Sequence, residues 1–155
     1  MHTFASKQYF PVDHATMWDF IATPKNLSVI TPPEMDFQTL SGDDRRMFPG
    51  QVIHYTVKPI FGIKMEWVTE ITHVVEGSYF VDEQRFGPYA FWHHKHFLEP
   101  LDGGVMMEDI VHYKLPLGPI GKLVEPHLVR PQLEKIFEYR RRVLEEKFGT
   151  IARVP

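Results

Sequence analysis

The sequence predicts an α+β domain in which a curved antiparallel sheet wraps around one long C-terminal helix, with two short helices after the first strand. Two observations carry this. In the stretch Gly118 to Phe148, the residues Val129, Leu133, Ile136, Phe137, Val143, Leu144 and Phe148 recur at steps of three, four and seven, the period of a helix with one apolar face. Almost everything before Gly118 alternates as short strands divided by Gly, Pro and Asp turns, the pattern of successive hairpins. Sheet and helix each have an apolar face to bury, and packing one on the other is the simplest solution.

The elements follow in order. Thr3 to Phe10 alternates as a strand, with Phe4, Ser6, Gln8 and Phe10 on one side, and Pro11 ends it. Asp13 is a good N-cap for a helix from His14 to Ala22, because its carboxylate accepts from free first-turn amides. Met17, Trp18, Phe20 and Ile21 supply that helix's buried stripe. Thr23-Pro24 breaks it, Pro24 opens a second short helix through Leu27 and Ile30, and Pro32-Pro33 stops the chain again. Strands are expected at Phe37 to Leu40, Gln51 to Lys58, Ile63 to Val75, Ser78 to Phe86, Tyr89 to Glu99 and Val105 to Leu115. In the long central one, Met65, Trp67, Thr69 and Ile71 share the face meant for the helix. Pro126 and Pro131 interrupt the start of the C-terminal stretch, so a kink is expected there, or a short helix followed by a longer one with Pro131 in its first turn. Gly149 suits the C-cap.

A chain of 155 residues is read as one domain, residues 1–155, large enough for a real core. A net charge of −3 leaves no electrostatic footprint for nucleic acid or an anionic membrane. The run Arg140 to Arg142 is read as solvated helix surface. The chain has no cysteine, which excludes disulfides, thiolate metal sites and cysteine nucleophiles and fits a reducing compartment. No apolar run approaches a membrane span, and the N-terminus lacks a signal-peptide pattern, so a cytoplasmic location is expected. No serine sits in a Gly-x-Ser-x-Gly turn, and no glycine loop suits a phosphate. The turns at Phe48 to Gly50 and Pro59 to Gly62 are read as hairpins or as a cavity rim.

Local motifs add a resemblance. Trp92-His93-His94-Lys95-His96-Phe97, then Asp102-Gly103-Gly104, then Glu108-Asp109-x-Val111-x-Tyr113-x-Leu115-Pro116, then Gly118-Pro119-x-Gly121 and Ile136-Phe137-x-Tyr139-Arg140 resemble bacterial proteins of the SRPBCC, START-like or Bet v 1-like superfamily, also called polyketide cyclase-like. The resemblance covers nearly the whole chain. It implies the helix-grip fold, a cavity between sheet and C-terminal helix, and a hydrophobic or amphipathic small-molecule ligand such as a lipid, isoprenoid or polyketide. Only a minority of that superfamily are enzymes, and fold does not give function.

The residues say separately what lines such a cavity. The Gly87-Pro88 turn sets Arg85 across from Ala90, Glu83 across from Trp92 and Val81 across from His94. A two-residue Asp102-Gly103 turn is read as setting His96 across from Met107, His94 across from Asp109 and Trp92 across from Val111. Both registers place Val81, Glu83, Arg85, Trp92, His94, His96, Met107, Asp109, Val111 and Tyr113 on one inward face, and a one-residue slip would reverse it. Buried charges need partners. Three readings of this polar set stay open: an internal network pairing Glu83 with Arg85 and Asp109 with His94; a ligand-recognition cluster in a pocket otherwise apolar; or acid/base chemistry in a cyclase- or hydratase-like enzyme using His94 with Asp109.

Under the ligand-binding reading Trp92, His94, His96, Asp109 and Tyr113 orient the ligand, with Glu83, Arg85 and Met107 beside them and Met65, Trp67 and Phe137 as walls. Met35, Met47, Met65, Met106 and Met107 offer an adaptable lining. His94 and His96 point the same way, as a zinc pair requires, with Asp109 as a third ligand. With no cysteine and no placeable fourth residue, no metal and no other cofactor are assigned. An accessory module for a protein partner is a third functional class, and a homodimer is left open.

Overall fold

The computed structural model describes residues 1–59, 62–116, 118 and 125–151. The expected helix entry through residues 119–124, and residues 60 and 61 of the expected turn, lie outside them. The strands are β1 (His2–Phe10), β2 (Gln38–Ser41), β3 (Gln51–Val57), β4 (Met65–Val75), β5 (Tyr79–Phe86), β6 (Phe91–Leu101) and β7 (Gly104–Lys114). The helices are α1 (His14–Ile21) and α2 (Arg130–Phe148). Two 3₁₀ segments, Pro24–Ser28 and Pro33–Met35, join α1 to the sheet, and a π-helical turn, Glu125–Val129, leads into α2. The second 3₁₀ segment lies where the sequence predicts only a stop.

All seven strands form one antiparallel sheet in the order β1-β7-β6-β5-β4-β3-β2. Each connection from β2 to β7 joins neighbours, and β1 closes beside β7, pairing Phe4 with Val111 and Phe10 with Val105. That pairing leaves no room beyond a glycine at the start of β7: a Cβ on Gly104 would sit 2.1 Å from the Phe10 carbonyl oxygen. Asp13 caps α1 as the sequence predicts, accepting from the Thr16 amide at 2.9 Å. Pro131 falls in the first turn of α2, where its missing amide costs nothing.

The interior divides into two apolar clusters. One gathers Tyr55, Trp67, Ile71 and Val111 around Leu133 and Phe137 of α2; the other gathers Phe10, Met17, Phe80 and Leu98 around Leu144. Burying each such side chain is worth roughly 1.5–3 kcal/mol. The helix therefore grips the sheet at two points about two turns apart, and the polar residues discussed below lie between them.

Two registers differ from the sequence expectation. In the β5–β6 pair, Asp82 lies across from His94 and Phe80 across from His96. Asp82, not Glu83, therefore shares a face with the histidines, and the inward placement of Glu83 and Arg85 is corrected. The cause is the connection. The Gln84 side chain takes the place of ladder bonds, donating to the Tyr89 carbonyl at 2.7 Å and accepting from the Tyr89 amide at 3.1 Å. Tyr89 turns into the core, so the hairpin does not close at Gly87-Pro88. In the β6–β7 pair the Asp102-Gly103 turn is two residues, closing at Leu101 and Gly104. The correct pairs are His96 with Asp109, His94 with Val111 and Trp92 with Tyr113. This slip is two residues, so the face assigned to β6 and β7 stands.

Candidate functional site

A cavity of about 140 Å³ lies between the concave face of the sheet, α2 and the segment that follows α1. Its apolar walls include Phe20, Leu27, Ile53, Ile71, Met107 and Leu144. Leu27 and Ile30 are only half-buried, so the cavity approaches the surface there. Its polar end is formed by Asp82, His94, His96, Asp109 and Arg140.

Alternation on β5, β6 and β7 aims the first four of these groups inward from three adjacent strands. They form one connected network. Asp109 Oδ1 lies 2.9 Å from His94 Nε2 and 2.9 Å from His96 Nδ1. Asp82 Oδ2 lies 2.8 Å from His96 Nε2 and 3.5 Å from His94 Nδ1. The two imidazole centroids are 3.7 Å apart. Phe80 stacks on His96 at 4.1 Å, and Trp92 meets His94 edge-on at 6.1 Å. From the helix side, Arg140 Nη1 reaches to 3.6 Å from Asp109 Oδ1, and its guanidinium lies 4.7 Å from the centre of the Phe137 ring.

Each group's titration follows from these neighbours. Burial opposes the charged forms of both aspartates, but the histidine contacts outweigh it: Asp82 is held below the usual carboxylate range and Asp109 well below it. Burial, with the charge of His96 beside it, pulls His94 down to about 4. Burial also opposes charge on His96, but its bonds to Asp109 and Asp82 win and raise it. The two imidazoles are thus driven in opposite directions. Two carboxylates face two imidazoles and one guanidinium, so each buried carboxylate has basic groups beside it. That pairing lets five ionisable groups stay buried.

The structure places the predicted residues unevenly. Trp92, His94, His96, Met107 and Asp109 border the cavity. Trp67, Tyr113 and Phe137 stand behind its lining in the first apolar cluster, whereas Met65, half-buried at the start of β4, belongs neither to the lining nor to that cluster. Trp67 donates to Thr69 Oγ1 at 3.0 Å, and the Tyr113 hydroxyl donates to the buried carboxylate of Glu125. Glu83 and Arg85 do pair with one another, at 3.5 Å, but on the outer face, where Arg85 also meets Glu70 at 2.6 Å. Arg140 corrects the reading of a wholly solvated basic run, being only 8% exposed. Its position carries a legible signal: residue 140 is three after Phe137 and four before Leu144, on the buried stripe itself. Asp82 was missed through the β5–β6 register.

Neither a protein-family model nor a curated protein sequence matches this chain. Solved structures do match. A START superfamily protein from Mycobacterium smegmatis superposes with a TM-score of 0.70 at 14% identity, over 96% of this chain and 97% of that one. The major latex-like protein 151 of Panax ginseng gives 0.70 at 14%, over 95% and 97%. Ara h 8.0201 gives 0.60 at 20%, over 93% and 98%. The fold is therefore the helix-grip fold of START-like and Bet v 1-like proteins. At these identities the likeness defines the architecture, and function rests on the site itself. No helix among the described residues is long and apolar enough to cross a membrane.

Proposed function

We propose that this chain binds a hydrophobic or amphipathic small molecule in the cavity between the sheet and α2. The observation that carries the reading is the composition of that cavity. Its walls are mostly apolar and aromatic, and its ionisable groups, Asp82, His94, His96, Asp109 and Arg140, form one cluster, close to the usual constitution of a small-molecule site. Trp92 and Met107 supply apolar contact, while His94, His96, Asp109 and Arg140 orient a polar atom of the ligand. Trp67, Tyr113 and Phe137 act one layer back by fixing the wall.

Size narrows the ligand. An engineered apolar cavity of about 150 Å³ takes up benzene, so about 140 Å³ suits roughly one ring. A larger molecule extends outward past Leu27 and Ile30. Native mass spectrometry of freshly purified protein, followed by extraction, tests the proposal. A lipid, isoprenoid or aromatic species at near-stoichiometric occupancy supports it. A clean apo mass, together with no uptake of an apolar fluorescent probe, overturns it.

A second reading, cyclase- or hydratase-like turnover, is favoured by one feature: the buried His94–Asp109 pair borders the cavity. It requires turnover of the extracted molecule or its precursor that His94→Ala abolishes with the fold intact. A binder shows no turnover at all.

A further inference from the structure

We propose that His94, His96 and Asp82 form a binding site for one divalent first-row transition ion at the polar end of the cavity, with Asp109 as the outer carboxylate beside both histidines. The proposal stands on geometry and is independent of the ligand reading.

The argument begins with Asp109. A carboxylate only accepts hydrogen bonds, and one oxygen of Asp109 is hydrogen-bonded to His94 Nε2 at 2.9 Å and lies 2.9 Å from His96 Nδ1. His94 Nε2 therefore carries hydrogen. Nδ1 of His94 and Nε2 of His96 both face Asp82 Oδ2, at 3.5 and 2.8 Å, the second as a hydrogen bond that puts hydrogen on His96 Nε2. The three atoms that face one another are thus two imidazole nitrogens and one carboxylate oxygen, and one donor atom from each of these residues lies within 4.8 Å of the other two. Two imidazoles and a carboxylate suit zinc and its neighbours in the first row, with the remaining positions left to water or ligand. Metal-bound histidines commonly donate their other ring nitrogen to a carboxylate, which fixes the tautomer. Here Asp109 does so for His94, and its same oxygen lies 2.9 Å from the other ring nitrogen of His96.

The supports are rigid. Phe80 stacks on His96, and Trp92 and Phe137 meet His94 edge-on. Arg140 offsets the charge of Asp109, leaving Asp82 as the carboxylate free to face a cation. The ion enters in place of the proton on His96 Nε2, which leaves to solvent. This reading departs from the sequence expectation, which assigns no metal and considers Asp109 rather than Asp82 as the third ligand. The corrected β5–β6 register exchanges their roles.

The test uses the full chain, stripped with chelator and titrated calorimetrically with Zn²⁺ and with Co²⁺. One ion per chain is expected, with a Kd of about 1 μM or tighter, and Asp82→Asn and His96→Gln each weaken it by about 100-fold or more. Asp109→Asn, which keeps all three ligands but loses the tautomer lock, weakens it by about 10–100-fold. Removing His93 and His112, which face each other on the outer side of the sheet, leaves binding unchanged. X-ray absorption of the zinc-loaded wild type needs no variant and is expected to count two imidazoles. No binding tighter than about 100 μM, an imidazole count other than two, or binding that survives both Asp82→Asn and His96→Gln overturns the proposal.

Discussion

Arg140 of α2 and Asp109 of β7 meet in the interior, Nη1 to Oδ1 at 3.6 Å, with side chains 9% and 3% exposed. The contact joins the helix to the sheet between the two apolar clusters. It also makes the helix a party to the charge balance of the cavity.

Arg140→Ala therefore removes both a compensating charge and a side chain packed on Phe137. Breaking a buried pair from one side costs on the order of 3 kcal/mol. Arg142→Ala, two residues on and outside that contact, is expected within about 0.5 kcal/mol of wild type. Urea unfolding of the two variants checks the contrast. Equal effects would return Arg140 to the solvated surface.

Tyr113 and Glu125 form a second buried polar contact, tying β7 to the turn that leads into α2. Burial, followed by the bond to Glu125, pushes the Tyr113 hydroxyl above its ordinary range, so it remains the donor. Tyr113→Phe leaves the carboxylate short of a partner, and His2 Nδ1, at 3.4 Å, is the other group beside it. The expected loss is about 2 kcal/mol, read as a lower urea midpoint with an unchanged slope.

Met107 borders the cavity and is almost wholly buried. Met107→Trp fills that space at an overpacking cost of about 1–3 kcal/mol. Uptake of anilinonaphthalene sulfonate, followed by fluorescence, is expected to weaken by about tenfold or more while circular dichroism stays native. Unchanged uptake in a folded variant would place the binding site elsewhere.

The cap of α1 gives a pH prediction. Asp13 accepts from the Thr16 hydroxyl at 2.6 Å and from the Thr16 amide at 2.9 Å, and these bonds hold its carboxyl below the usual range. A depressed carboxyl stabilises the folded state above its unfolded pKa, and that contribution is lost as pH falls through the folded value. An NMR titration of Asp13 is expected to show the low midpoint, with faster Thr16 amide exchange below it. Asp13→Asn keeps the acceptor and abolishes the pH dependence.

Much of this molecule is legible in its sequence because strands and helices have fixed periods. Alternation in 65–71 and 105–113 identifies the inner face of β4 and of β7, and the 3.6-residue period finds the buried stripe of α2 from Leu133 to Leu144. His94, His96 and Asp109 were placed together for the same reason. The two-residue error between β6 and β7 did no harm to that set, because the strand repeat is itself two.

What the sequence by itself determined is the order of elements, their faces and the α+β class, since each depends on residues near one another in the chain. The tertiary structure decided which charges meet. Asp82 replaced Glu83 because the Gln84 side chain and buried Tyr89 set the β5–β6 register, and a one-residue shift exchanges the faces of a strand. Arg140 is buried because Asp109, 31 residues away in the chain, offsets its charge. The cost of burying an ion depends on partners that only the folded chain brings together.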